Sequence, residues 1–512
     1  MDQLPQTPAS PSLPNASGEI GPCRSFRGPK SARPDPGSRK AAVVAWLLLL
    51  VVLPVVVVFQ QLQAHATPEP EPGVITAPQG DEVEVAARLG ARAAHALSQG
   101  GGSFQQSVDG SAEGSRLQRV RAAISAGELI SHEEAAQRLG ILVGELEDAE
   151  PLDDAEAIER RGQLLDDARL LRDYYAALAR DPDAVDGLDD ETMNGLIERH
   201  GFFGELVRVS RLPQGHELRA HLLDGALVPL VVMGIILAIM GVSVLLGLGL
   251  GITAIVMGAM GSLRFAMPRP APGGSVYLES AVIFVACFAL LQIAQQVAAM
   301  FGEKATDTAG MLALPAQWLL LLVPLWPLLR GVRWSRVRDD LGLRAPRGVG
   351  LEIVAGVAGY LALLPVLLAG MAVMLLLLFV QQVLFPGDPN ASGPTNPILE
   401  LIKTLDPVLL ILLFTLATIW APLCEELIFR GALFRHMRAR LALPIAALLS
   451  AMVFGMMHGY AAVQLIPVTV LGFNFALIRA WRGSLVGPIV AHALNNAVVL
   501  GLLFSLAFVL YG

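Results

Sequence analysis

Three polar interruptions break the apolar C-terminal third of this sequence. The first is Pro422-Leu-Cys-Glu425-Glu426-Leu-Ile-Phe-Arg430-Gly431, which follows the apolar run Val408 to Ala421. The second is His458, closing Phe454-Gly-Met-Met-His458, and the third is the pair His492 and Asn496 in His-Ala-Leu-Asn-Asn. Ionisable groups at the edge of a hydrocarbon-length segment are costly and by default mark a functional site. Glu426 and Arg430 stand four residues apart, as do Phe454 and His458, and His492 and Asn496. On α-helices each pair shares a face. Glu425 projects about 100° away from Glu426. One carboxylate can thus be held by Arg430 while the other stays free to exchange a proton, the division a general base needs. The chemistry this permits is attack by water on an amide. Glu425, helped by His458, polarises the water, and His492 and Asn496 donate hydrogen bonds to the developing oxyanion. No serine nucleophile accompanies these groups. Cys424 adjoins Glu425 without sharing its face, which fits a packed core thiol better than a nucleophile. A carboxylate and two imidazoles could instead hold a divalent metal such as zinc, through Glu425, His458 and His492. HExxH is absent and the two histidines come from separate helices, so no metal ligand is assigned. The bland alternative is that Glu–Arg, His and Asn contacts only glue helices together.

Positioning these groups requires helices at a common depth. If the Glu425 helix runs on to about Arg440, Glu425 lies roughly 22 Å from the turn, and His458 lies roughly 24 Å back up the next helix. An antiparallel hairpin then puts both at similar height. The composition agrees with a membrane setting: of 512 residues, 54% are hydrophobic and 16% charged, too apolar for a soluble chain of this size. Three distant cysteines, Cys23, Cys287 and Cys424, argue against a disulfide framework.

In chain order, residues 1–40 read as a disordered basic tail rich in Pro, Ser and Gly. Residues 41–60 read as a transmembrane anchor with a cytoplasmic N-terminus, set by the basic flank. A cleaved signal peptide is the competing reading, since Ala64-His-Ala66 has the A-x-A form. Pro68, Pro70 and Pro72 form a stiff linker. Residues 67–225 read as a soluble, acidic, helical domain, with a flexible break at Gly100–Ser103 and a capping box of Ser131 and Glu134. If the anchor is retained this domain lies outside the cytoplasm, where it could meet an extracytoplasmic partner. Residues 226–345 then supply N-terminal membrane helices, and 346–512 the helices that carry the polar groups. The expected spans are Ala226–Leu263, Ser275–Phe301, Met311–Leu329, Leu351–Phe385, Ile398–Ala421, Leu443–Met457, Val463–Ile478 and Leu485–Leu510. These are eight C-terminal spans in an all-α polytopic bundle, nine with the anchor. Arg264 and Arg269, Arg330 to Arg347, Arg435 to Arg440, and Arg479 with Arg482 fall in every second connection. The positive-inside rule makes those connections cytoplasmic, with Ala226–Leu263 a single pass. Asn390-Ala-Ser392 is a formal glycosylation site in the opposite set of loops.

The three motifs resemble the CPBP family, which comprises the CAAX endopeptidases related to the Ras-converting enzyme and the bacteriocin-processing and self-immunity proteins. The family pattern Glu-Glu-x-x-x-Arg, Phe-x-x-x-His and His-x-x-x-Asn reads here as Glu425-Glu426-Leu-Ile-Phe-Arg430, Phe454-Gly-Met-Met-His458 and His492-Ala-Leu-Asn-Asn496. Pro422, Gly431, Gly483-Ser-Leu and Pro488-Ile agree in the flanks. The resemblance covers roughly Leu351 to Leu510. It implies a multi-helix intramembrane endopeptidase in which Glu425 and His458 activate water and His492 and Asn496 stabilise the oxyanion, with Glu426 and Arg430 in support. Some family members are described as metalloproteases, so it leaves zinc open.

The expected activity is hydrolysis of a peptide bond in a peptide or membrane-protein substrate at the bilayer, in a bacterial inner membrane, with no nucleic-acid partner. Two other classes use the same residues: a non-catalytic scaffold or self-immunity protein, and a transporter relaying protons through Glu and His.

Overall fold

The computed structural model describes residues 33–65, 82–96, 115–149, 155–181, 186–213, 215–384 and 406–511. The tail up to residue 32, the Pro68–Pro72 linker, the Gly100–Ser103 break, Asn390-Ala-Ser392 and the expected span start at Ile398 lie outside the described residues. Among the described residues all regular structure is helical. The anchor α1 (Arg39–His65) begins the chain. It is followed by α2 (Glu82–Ala96), α3 (Arg116–Leu129), α4 (His132–Glu147), α5 (Ala155–Arg180), α6 (Asp190–His200), α7 (Phe202–Val209) and α8 (Glu217–Leu223). The C-terminal part consists of α9 (Leu227–Ala259), α10 (Val276–Ala299), α11 (Glu303–Trp318, prolonged by tighter turns to Leu329), α12 (Trp334–Leu341) and α13 (Val349–Leu384). It ends with α14 (Pro407–Arg438), α15 (Leu443–Met456), α16 (Leu465–Arg482) and α17 (Val486–Tyr511).

Among the described residues, eight helical segments are long and apolar enough to cross a membrane: α1, Glu217–Ala259, α10, Thr308–Leu329, α13, α14, α16 and α17. Ala226–Leu263 resolves as one unbroken helix over Leu227–Ala259, hence a single pass. One of the nine expected spans, Leu443–Met457, needs correction. Leu443–Met456 is only 14 residues, about 21 Å against a core of about 30 Å. It opens at Pro444 and stops before Gly459, whose φ of +71° a side-chain-bearing residue resists. The basic tail needs a second correction. Its last residues do not lie free, because Asp35 is buried at 4% exposure and α1 begins at Arg39.

Helices α2 to α8 pack around their own core of Ile124, Leu139, Leu171, Tyr175, Phe203 and neighbours. Ser115 and Gln118 form a reciprocal cap on α3, and Ser131 accepts from the Glu134 amide at the start of α4. In the apolar part, α14 sits centrally, against α10, α12, α15, α16 and α17. Its inner residues Phe429, Leu433 and Phe434 meet Phe284, Phe454 and Ala476 in one cluster. By contrast α9 presents Val228, Leu245 and Ile255 outward at 70%, 70% and 73% exposure, a surface suited to lipid rather than water. The arginine-bearing connections gather at one end. There the Met267 amide bonds to the Ala480 carbonyl and the Leu485 amide to Gly342, and Arg440 donates to the Gly273 carbonyl at 2.9 Å. At the other end α2 meets the close of α17, where Arg92 donates to the Val509 carbonyl at 3.1 Å.

Candidate active site

Helix α14 is not a regular α-helix where the polar groups sit. The Ala421 amide bonds back to Leu416 and the Phe434 amide to Phe429, both five residues away, so Leu416–Trp420 and Glu426–Leu433 are π-helical. Pro422 supplies a local reason for the first wide turn. It has no amide hydrogen, and its ring crowds the carbonyl four residues earlier, so the chain widens to relieve it. Such widened turns recur at functional sites.

The inner part of the site is a buried ion pair. Arg430 Nη1 donates to Glu426 Oε1 at 2.7 Å, with the two side chains 1% and 0% exposed. Burying two charges is expensive, and here aromatic rings contribute. The guanidinium carbon lies 4.2 Å from the centre of Phe454, 5.2 Å from Phe475 and 6.0 Å from Phe429, within cation–π range. Gly472 lets α16 come this close, since a Cβ there would lie 3.0 Å from Arg430 Nη2 and from Phe454 Cδ1.

His492, on α17, joins this pair to the second glutamate. Its Nδ1 is 3.1 Å from Glu426 Oε1 and its Nε2 is 3.8 Å from Glu425 Oε2. The imidazole stacks on Phe475 at 5.0 Å and 22° and is 5% exposed. Glu426 is already paired with Arg430, so Nδ1 is the donor, and Nε2 is left facing Glu425. The 3.8 Å gap is too long for a direct hydrogen bond. Glu425 is 16% exposed, and its buried Oε2 has no hydrogen-bond partner among the described residues. A free carboxylate oxygen beside an imidazole nitrogen is the arrangement that takes a proton from a bound water.

His458 and Asn496 stand at the rim. His458 is exposed, and its Nδ1 lies 2.9 Å from the Phe454 carbonyl, which assigns the ring proton to Nδ1 and leaves Nε2 to accept. Among the described residues it makes no ion pair with either glutamate. Instead the Phe454 ring contacts both imidazoles edge-on, 4.7 Å from His458 and 5.9 Å from His492. Asn496 Nδ2 donates to the Ala417 carbonyl at 2.8 Å, inside the first wide turn, and Asn496 Oδ1 accepts from Asn495 at 3.3 Å. One of its two N–H groups remains for a ligand.

Glu425, Glu426, Arg430 and His492 thus meet directly, Asn496 joins through the α14 backbone, and His458 through Phe454. Cys424 is fully buried. For zinc, Glu425, His458 and His492 do not fit. Among the described residues no group of three His, Cys, Asp or Glu side chains is placed to hold an ion, so no step is derived through a metal. Two contributors escaped sequence reasoning. Phe475 lies in the apolar stretch Phe473-Asn-Phe475, where nothing sets it apart from core. Asn495 is the neglected half of an Asn-Asn pair, and that doubling in an apolar helix was its signal.

Comparison with known proteins bears on the same segment. The model for the family described as "Type II CAAX prenyl endopeptidase Rce1-like" matches residues 407–498, which hold all six polar groups. This segment is an Rce1-like family domain. The Bacillus subtilis (strain 168) protein named "Putative membrane peptidase YdiL" is 30% identical over 152 residues, 30% of this chain. The alignment spans 56% of that protein's length. No solved structure shows a significant match.

Proposed function

We propose that this protein is an intramembrane endopeptidase that hydrolyses a peptide bond with an activated water. The observation that carries the reading is the placement of His492 between the two glutamates, 3.1 Å from Glu426 and 3.8 Å from Glu425. Glu425 takes the proton of a water held beside its unpartnered oxygen as the water oxygen bonds to the carbonyl carbon, and returns it to the leaving nitrogen as the C–N bond breaks. Glu426, fixed by Arg430, orients His492. Nε2 of His492 and the spare N–H of Asn496 face the substrate carbonyl, with His492 donating in its imidazolium form. His458, accepting through Nε2, completes the rim, where it receives a proton or guides the substrate amide. The Rce1-like family supports the reaction class. The substrate is a peptide or membrane protein, with no prenyl group assigned to it.

In this reading the retained anchor places the N-terminus in the cytoplasm. The arginine end of the bundle then faces the cytoplasm, by the positive-inside rule, and α2 to α8 lie on the far side. The test compares the peptides that accumulate uncut in a deletion strain with those in a strain carrying Glu425→Gln, followed by cleavage of a found substrate by purified protein. Loss of cleavage in a folded Glu425→Gln protein is expected. Full activity in that variant removes Glu425 as the base. An unchanged cellular phenotype with both Glu425→Ala and His458→Ala favours the non-catalytic scaffold.

A further inference from the structure

The residues just before α1 fold against the far end of the helix that carries the glutamates. Pro34-Asp35-Pro36-Gly37 lies in a slot beside the connection leading into α10. The Gly274 amide donates to the Asp35 carbonyl at 2.8 Å and the Val276 amide to the Pro36 carbonyl at 3.1 Å. Arg336 Nη2 donates to the Pro34 carbonyl at 2.5 Å. Two glycines make the slot. A Cβ on Gly273 would lie 2.4 Å from the Asp35 nitrogen, and one on Gly274 would lie 2.3 Å from the Pro36 oxygen. Any larger residue would close it.

The Asp35 side chain is fully buried there. Its Oδ1 accepts from Arg435 Nε at 3.0 Å, and its Oδ2 is 3.5 Å from His436 Nδ1. Arg435 also pairs with Asp340 at 3.0 Å, and Asp340 in turn accepts from Tyr277 at 2.7 Å and meets Arg336 at 3.3 Å. Without Asp35, two guanidinium groups share one carboxylate, and Arg435, with a side chain 8% exposed, loses half its compensation. A buried charge without its partner is costly, so the slot is built to receive a carboxylate on an extended segment.

We infer that this groove, formed by Gly273, Gly274, Arg336, Asp340, Arg435 and His436, is a binding site for an acidic, proline-flanked peptide. Residues 34–37 are its ligand in cis, and Asp35 is a positioning residue for α14. Arg435 follows Glu425 by ten residues, roughly 15 Å along the helix. Between them lies the wide turn Glu426–Leu433, which departs from the tighter α geometry and needs both ends held to fix its rotation. Asn496 holds the N-terminal side at Ala417, and Asp35 holds the C-terminal side at Arg435.

The test reads binding and local dynamics and is therefore independent of the peptidase reading. In the full-length protein, Asp35→Ala is expected to speed amide hydrogen exchange across residues 426–438 at least tenfold while leaving 116–147 unchanged. In a protein beginning at residue 39, a synthetic peptide of residues 33–38 is expected to bind saturably and slow that exchange again, with the Asp35→Ala peptide at least tenfold weaker. Unchanged exchange at 426–438, an equal rise throughout the chain, or equal binding of the two peptides overturns the inference. Should the shortened protein fail to fold, the full-length variant decides alone.

Discussion

Replacing Glu425 and replacing Glu426 should have different physical consequences, although the two are neighbours in the chain. Glu426 is wholly buried, and its Oε1 accepts from both Arg430 and His492, at 2.7 and 3.1 Å. Glu426→Ala leaves the Arg430 guanidinium, 1% exposed, without its hydrogen-bonded counter-charge. Its Nε and Nη2 have no hydrogen-bond partner even in the intact site. The three phenyl rings offset part of this, about 2 kcal/mol for a desolvated cation–π contact. Breaking a buried pair costs about 3–5 kcal/mol, and that is the loss expected. Glu425 is 16% exposed, and its nearest charged partner, His492 Nε2, is 3.8 Å away. Its replacement by Gln should cost about 1 kcal/mol or less, while removing the proton acceptor. The measurement is reversible unfolding of the purified protein in mixed detergent micelles of rising denaturing-detergent fraction, with both variants in parallel. Combining Glu426→Leu with Arg430→Met removes both charges together and should recover most of the loss, since apolar replacement of a buried pair is often neutral. Equal destabilisation by the two single variants would refute the division of labour. A double variant as unstable as Glu426→Ala would refute the charge argument behind it.

Three further outcomes follow from other contacts. Asn496→Ala should cost about 1 kcal/mol by freeing the Ala417 carbonyl, and about 10²–10³-fold in cleavage rate if its spare N–H meets the oxyanion, read by single-turnover cleavage of an identified substrate. Arg482 donates to both oxygens of the fully buried Glu352, at 2.8 and 3.0 Å. Arg482→Gln should lose about 3–5 kcal/mol in the same unfolding assay, whereas a surface arginine such as Arg344, 53% exposed, should lose less than about 1 kcal/mol. Away from the membrane helices, burial pushes the Glu128 carboxyl up to about 7, against the pull of its ion pair with Arg219. A folded-state value above the unfolded one means stability fully present below about 4.5 and lost as pH rises through 7. The melting temperature of full-length protein, followed by circular dichroism, should therefore fall between pH 5 and 8. Glu128→Gln should flatten that slope.

The membrane helices were legible because length and hydropathy alone decide whether a segment can span hydrocarbon. The exception shows the limit of that logic. Leu443–Met456 is as apolar as its neighbours but too short, and it ends where His458 bonds back to the Phe454 carbonyl, just before the left-handed backbone of Gly459. Asp35 failed for the opposite reason. A lone acid among Pro, Gly and Arg resembles a solvated tail. Its partners Arg435 and His436 lie 400 residues downstream, and no local pattern reveals a contact of that range.

The site itself was legible only as spacing. Pairs four residues apart correctly place Glu426 with Arg430, because a π turn and an α turn both bring such residues to neighbouring positions. The spacing could not show that α14 widens there, since hydrophobic periodicity is nearly blind to one extra residue per turn. Nor could it show which imidazole would meet the carboxylates. His458 and His492 are chemically identical in the sequence, and the difference between them is Phe454. That ring packs on Arg430 at 4.2 Å beside the ion pair, with His458 at the exposed rim and His492 delivered by α17 to the buried side. The aromatic residue of the Phe-x-x-x-His motif thus does more than precede the histidine by one turn: it packs on the buried arginine and touches both imidazoles, the buried His492 and the exposed His458.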